Sequence, residues 1–160
     1  MNPVLVDIKE IEAFLIQEAD YLDRKQFQDW LHLFAEDAIY WVPSNQDDYD
    51  PMVHVSIIYD NMERLKERVW RLESGLAYGQ EPQSKTNHLL TNVRILDNLN
   101  DRIKVAANFI VVEIRRSVKT IYSGRMEYEL IQSGLSWKIA QKKTILLEND
   151  EYIGNFSFLI

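Results

Sequence analysis

Apolar side chains recur along the first third of the chain at helical intervals. Ile8, Ile11, Leu15, Ala19 and Leu22 are spaced three and four apart and give one apolar face. Asp7 is a candidate N-cap, with Glu10 three residues on as in a capping box. A second, short helix is expected near Lys25–Phe34, burying Phe27, Trp30, Leu31 and Phe34. Ala38–Pro43 then turns β-like, with Ile39, Tyr40, Trp41 and Val42 in a row and Pro43 closing it. Ser44–Pro51 is a polar, acidic loop. A third helix is predicted over Asn61–Ser74, with Met62, Leu65, Val69 and Leu72 on one side and Glu63, Lys66 and Glu67 on a solvated face. Gly75–Lys85, holding Gly75, Gly79 and Pro82, reads as a loop.

The second half changes period. Strands are predicted over about Asn87–Leu96, Ile103–Val118, Thr120–Ile131 and Ser136–Leu147. In the third of them Tyr122, Met126, Tyr128 and Leu130 alternate with Ser123, Arg125, Glu127 and Glu129, which implies one buried and one wet face. Asn98–Asp101 and Ser133-Gly134 are turn signals, and connections this short favour antiparallel neighbours. Helices first and long strands afterwards predict an α+β domain over residues 1–160, its N-terminal helices packed on a strongly curved, mainly antiparallel sheet rolled into a cone. Lys138, Lys142 and Lys143 are expected at solvated positions on an edge strand.

Composition narrows the function. The formal net charge of −7 argues against nucleic acid or an anionic membrane as partner. The sequence has no cysteine, which removes disulfides, thiolate nucleophiles and iron–sulfur ligation by this chain. No basic region followed by a long apolar stretch marks a leader, and no run reaches the roughly 18 apolar residues of a membrane span, so a soluble cytoplasmic protein is expected. His32, His54 and His88 have no metal-ligand spacing among them, and no metal site is expected. Two segments are too apolar for solvated loops: Tyr40–Pro43, and the tail that ends Phe156-Ser157-Phe158-Leu159-Ile160. Each is core or interface, and Tyr40, Trp41, Phe156 and Phe158 are the candidate anchors of a subunit contact.

Several stretches taken in order carry a resemblance. They are Glu18-Ala19-Asp20-Tyr21-Leu22-Asp23, Trp30-Leu31-His32-Leu33-Phe34 and Asp37-Ala38-Ile39-Tyr40-Trp41-Val42-Pro43. Further on come Ser56-Ile57-Ile58-Tyr59-Asp60, Thr86-Asn87-His88-Leu89-Leu90-Thr91-Asn92-Val93 and Trp137-Lys138-Ile139-Ala140-Gln141-Lys142-Lys143. Together they resemble the β (small) subunits of aromatic-ring-hydroxylating dioxygenases. Tyr59-Asp60 and Arg68-Val69 are most similar to the benzoate, anthranilate and salicylate-type group.

The resemblance implies a nuclear-transport-factor-2-like cone that acts as a structural subunit in the breakdown of aromatic compounds. It implies three such chains assembled with three larger catalytic α subunits. The Rieske 2Fe-2S cluster and the mononuclear iron are then expected on the α subunit, with no cofactor on this chain. The alternative is a stand-alone cone-fold isomerase or dehydratase using Asp37, Tyr40 and His88 as acid–base groups. Against that stands a plainer view of those residues: a helix end, a half-buried strand position and a histidine bonded to backbone.

Overall fold

The computed structural model describes residues 5–44, 50–99, 101–148 and 157–160. Helix α1 (Ile8–Asp23) starts where Asp7 accepts a hydrogen bond from the Lys9 N–H at 2.9 Å. The cap is the predicted one, though its bond goes to Lys9 and not to the N–H of Glu10. Helix α2 (Phe27–Leu31) ends three residues short of the prediction because Phe34 already belongs to strand β1 (Phe34–Pro43). Strand β2 (Ser56–Asn61) was not expected as an element; it is short and lies against β1. Helix α3 (Met62–Glu73) is capped by Asn61, which accepts from the Arg64 N–H at 3.0 Å, and it buries Met62, Leu65, Val69 and Leu72. A 3-10 turn at Tyr78–Gln80 interrupts the loop that follows. Then come β3 (Lys85–Leu99), β4 (Arg102–Arg115), β5 (Val118–Ser133) and β6 (Ser136–Leu146).

The six strands form one sheet in the order β2-β1-β6-β5-β4-β3. Every neighbouring pair is antiparallel except β1 and β6, which run parallel. Register shifts at Val42/Pro43, Thr91/Arg94, Ile95/Asp97 and Glu129/Leu130 bend the strands, as bulges do, and curl the sheet around the helices. At one point β5 and β6 approach so closely that only glycine fits: a Cβ on Gly124 would lie 1.9 Å from the Ile145 carbonyl oxygen. Helices α1 and α3 cover the concave face, α1 lying across β3 and α3 across β1 and β2.

The core fills the cone. Ile11, Leu15, Trp30, Val42, Leu65, Val69, Val105, Phe109, Val111, Leu130 and Ile139 are buried there. Phe158, Leu159 and Ile160 join them from the tail.

The expectation for the lysines is corrected. Strand β6 lies between β1 and β5, so it is an interior strand, and the edges are β2 and β3. Lys142 (1% exposed) and Lys143 (7%) are buried on opposite faces of it. Lys138 is half-buried, with its Nζ on the His32 carbonyl. The reason Lys142 faces inward is local. Leu130 pairs with Ile139 but Glu129 pairs with Gln141, so Ala140 is an extra residue that shifts the phase of the strand.

Candidate functional site

A polar cluster lies sealed inside the cone. Glu18 comes from the buried side of α1, Trp30 from α2, Tyr40 from β1, Tyr128 from β5 and Lys142 from β6. Lys142 Nζ donates to Glu18 Oε1, which also accepts from the Trp30 indole N–H at 3.1 Å. Glu18 Oε2 accepts from the Tyr128 hydroxyl at 2.8 Å. Side-chain exposure is 1% for Lys142 and 2% for Glu18, so the ion pair is withdrawn from water altogether. The rings of Trp30, Tyr40 and Tyr128 surround the ammonium at 5.7–6.0 Å.

Burial sets the ionisation of this cluster. It pushes the Tyr128 hydroxyl well above the usual tyrosine range, and the charge of Glu18 adds to the shift. Burial likewise raises Tyr40. It lowers Lys142, with Glu18 pulling the other way.

Tyr40 ties down the tail. Its hydroxyl donates to the Ile160 carbonyl at 2.8 Å and accepts from the Ile160 N–H at 3.1 Å. The tail is held again at the mouth of the cone. Gln80 donates to Ser157 Oγ at 2.8 Å, Ser157 donates to the Gly79 carbonyl at 3.2 Å, and the Phe158 ring lies 5.3 Å from that of Tyr122. Behind this closure Ser84 donates to the buried carboxylate of Glu113, and Gln80 bonds Ser84. A cleft beside Phe158 and Leu159, lined also by Leu22, Phe27 and Thr86, holds about one water molecule and does not admit an aromatic ring. A wider, open and mainly polar depression of about 470 Å³ lies between Asp60, Arg64, Arg68, Arg71, Gly79 and Ser157.

The structure does not bring the predicted trio together. Asp37 is exposed on β1 and ends no helix, Tyr40 has no exposed surface, and His88 belongs to another group. His88 Nδ1 lies 2.5 Å from Asp23 Oδ1, and its backbone N–H donates to Asp23 Oδ2 at 2.9 Å. Its ring thus bonds a carboxylate and not backbone. Thr86 also donates to Asp23, at 2.9 Å. Burial alone would raise the Asp23 carboxyl, but the bonds and charge from His88, with Thr86, outweigh it and hold it below 3.8. Among the described residues, His88 Nε2 has no hydrogen-bond partner and is buried. The dyad fastens the end of α1 to the start of β3.

Of the residues expected at a subunit contact, Phe156 lies outside the described residues. Phe158 (6% exposed) is packed in the chain's own core. Trp41 (7%) faces away from the cone and is still covered: Tyr59 lies 6.0 Å off, Ser56 accepts its N–H at 3.0 Å, and the Lys143 ammonium stands 4.5 Å from its ring. Among the described residues no group of three His, Cys, Asp or Glu could hold a metal ion. Among them also, no helix is long and apolar enough to cross a membrane.

The pattern of the sequence missed the polar roles of Glu18, Asp23, Glu113 and Lys142, which sit in three separate hydrogen-bonded groups. A signal existed for two of them. Glu18 falls on the apolar arc of α1, three residues after Leu15, and Glu113 falls in phase with Phe109 and Val111 on β4.

Comparison with known proteins adds a family. A family model described as the ring hydroxylating beta subunit matches residues 17–151. The small oxygenase component of the p-cumate 2,3-dioxygenase system of Pseudomonas putida is 35% identical over 139 residues, which cover 86% of this chain and 77% of that protein. The crystal structure of the β subunit of benzoate 1,2-dioxygenase from Burkholderia mallei superposes with a TM-score of 0.79 at 28% identity, covering 96% of this chain and 98% of that one. A nuclear-transport-factor-2-like protein with a cystatin-like fold from Novosphingobium aromaticivorans shares the fold alone, with a TM-score of 0.65 at 12% identity, over 90% of this chain and 84% of that one.

Proposed function

Because the chain belongs to the family of ring-hydroxylating β subunits, we propose that it is the structural small subunit of a multi-component aromatic-ring-hydroxylating dioxygenase. It supports assembly of larger catalytic α subunits that act in the degradation of aromatic compounds. The observation that carries the structural role is the closed cone. Where a cone-fold enzyme would keep a pocket, this chain has the buried Glu18–Lys142 ion pair and its own tail.

The redox centres belong to the partner in this reading. A Rieske cluster needs two cysteines and two histidines, and the sequence has no cysteine. A mononuclear iron needs converging ligands, and His32, His54 and His88 lie in separate parts of the chain, a helix end, a loop and β3. These groups do not fit the residues present, and no step of the chemistry is assigned to this chain. The assembly is read as three of these chains with three α subunits, in the cytoplasm. No observation favours an isomerase or dehydratase that uses Asp37, Tyr40 and His88.

The test is reconstitution with the α subunit of an aromatic-acid oxygenase of this family. The chain should bind it in equal numbers, show no ring hydroxylation alone, and carry no stoichiometric iron. Hydroxylation by the isolated chain, or indifference to every such α subunit, would sink the reading.

A further inference from the structure

Helix α3 sets three arginines along the open depression that reaches Ser157. Arg64, Arg68 and Arg71 are four and three residues apart, so they form a single stripe of the helix. Two of them already have a carboxylate. Arg68 Nε donates to Asp60 Oδ2 at 2.7 Å, and the Asp60 side chain is 7% exposed, so this guanidinium is held in place from beneath. Arg71 Nη2 donates to Glu67 Oε1 at 2.5 Å in a pair that is 57% exposed on both sides. Among the described residues, the Arg64 side chain has neither a hydrogen bond nor an ion pair. A chain of formal net charge −7 thus keeps an uncompensated guanidinium in a concave place. Leu76 (48% exposed) and half-buried Ala77 add apolar surface to the same depression.

We propose that this depression is a binding site for a small organic carboxylate with a compact apolar body. Arg64 and Arg68 take the carboxylate, and Leu76 and Ala77 take the body. A guanidinium presents its N–H groups as a rigid fork that matches the two oxygens of a carboxylate. Asp60 occupies only the Nε of Arg68, so the terminal N–H groups of that side chain serve the ligand. Glu67 competes with the ligand for Arg71, and its exposed, salt-screened pair is the one that gives way. A volume of about 470 Å³ is ample for a molecule of this class.

Other ligand classes fit less well. A metal cation meets three guanidiniums and finds both carboxylates already bonded. Inorganic phosphate satisfies the arginines but leaves Leu76 and Ala77 in water. A nucleic acid backbone is repelled by the rest of an acidic chain. The proposal concerns the chain by itself and does not rest on the subunit reading. A chain that binds the carboxylate but no oxygenase α subunit would keep the site and sink that reading, and the reverse result would do the opposite.

Titration calorimetry on the full chain, with benzoate as the probe, tests the proposal. Wild type should show one saturable site per chain. Acetate has the charge without the body, benzyl alcohol has the body without the charge, and both should bind more weakly than benzoate. Arg64→Gln should weaken benzoate binding about tenfold, as loss of a charge-assisted bond does. Its melting temperature should match wild type, since Arg64 bonds nothing that the fold depends on. Glu67→Gln frees Arg71 and should strengthen binding several-fold, an effect opposite to that of a damaged fold. Arg94→Gln makes the same change of charge at an exposed position on β3 and should leave binding as it is. A wild-type chain without saturable binding, or an Arg64→Gln chain that binds as well as wild type, would overturn the proposal. So would Arg94→Gln as damaging as Arg64→Gln, Glu67→Gln without a gain, or acetate or inorganic phosphate binding as tightly as benzoate.

Discussion

Burying Glu18 against Lys142 removes two charges from water, and their attraction offsets that cost only because every oxygen of the carboxylate is bonded. The pair is consequently sensitive to half-removal and tolerant of full removal. Glu18→Ala leaves the Lys142 ammonium unpaired among three aromatic rings and is expected to cost about 3–5 kcal/mol. At about 2–4 °C per kcal/mol for a chain of this size, melting should fall by roughly 6–20 °C. The double variant Glu18→Leu with Lys142→Met should melt near wild type or above it, and a double variant as damaged as the single one would refute this account of the pair. The tyrosines predict the alkaline limb. Burial holds Tyr40 and Tyr128 above their ordinary value of 10.0 in the folded chain. A raised folded pKa gives stability that is complete below pH 10 and is lost above it, because the unfolded tyrosines ionise first. Lys142 runs the other way. Its folded pKa is depressed from 10.5, so the cost of its burial is relieved as pH rises towards that value. With two fully buried hydroxyls against one ammonium, melting temperature should fall above pH 10. Tyr40→Phe should flatten that fall, as melts from pH 8 to 11 would show.

At the scale of elements, the long periodic segments were legible and the order of strands was not. Helices α1 and α3 follow from helical spacing and β5 from its alternation, while β3, β4 and β6 follow from β-rich stretches between turn signals. Strand β2 has only six residues and no clean alternation, so its period could not announce it. The burial of Lys142 and Lys143 was hidden for a different reason. It depends on the parallel contact of β6 with β1, a pairing across the length of the chain, and on the extra residue at Ala140. Neither leaves a mark on local pattern. The resemblance to a known family supplied the cone, but not which polar groups seal it. Gly124 shows how an element can depend on one position. A methyl group there meets the Ile145 carbonyl at 1.9 Å, and backbone cannot yield as a side chain tip can. Gly124→Ala should therefore push β5 from β6 and cost about 1–3 kcal/mol, as overpacking does. Gly134→Ala has open space around its Cβ and pays only for its positive φ of 63°, about 1–2 kcal/mol at most. Chemical denaturation should rank Gly124→Ala as the more damaging, and the reverse order would mean that β6 moves freely at this point.

For the whole molecule, a scaffold and an enzyme predict different consequences for the same substitutions. Asp37, Tyr40 and His88 make the sharpest comparison, since an acid–base mechanism would need all of them. In a scaffold each should cost what its own surroundings dictate. Asp37 is exposed and makes no bond that the fold depends on, so Asp37→Asn should change stability by no more than about 0.5 kcal/mol. Tyr40→Phe strands the carbonyl and N–H of Ile160 inside the cone and should cost about 1–3 kcal/mol. His88→Ala removes the ring that fastens Asp23, and with it the clasp between α1 and β3. That loss should also cost about 1–3 kcal/mol, and it should free the Asp23 carboxyl to titrate nearer 3.8. Asp23 is depressed in the folded chain, so its contribution is present above 3.8 and disappears as pH falls below it; His88→Ala should accordingly lose less on acidification than wild type does. Turnover of the reconstituted oxygenase should stay near wild type for all three once assembly is complete, because none of these groups lines the clefts formed by the described residues. The measurement is turnover per iron beside the melting temperature of each variant. Were Tyr40→Phe or His88→Ala to abolish turnover in a complex with normal iron content and normal melting, the groups inside the cone would be taking part in the chemistry, and the scaffold would have to be read as half of an active site.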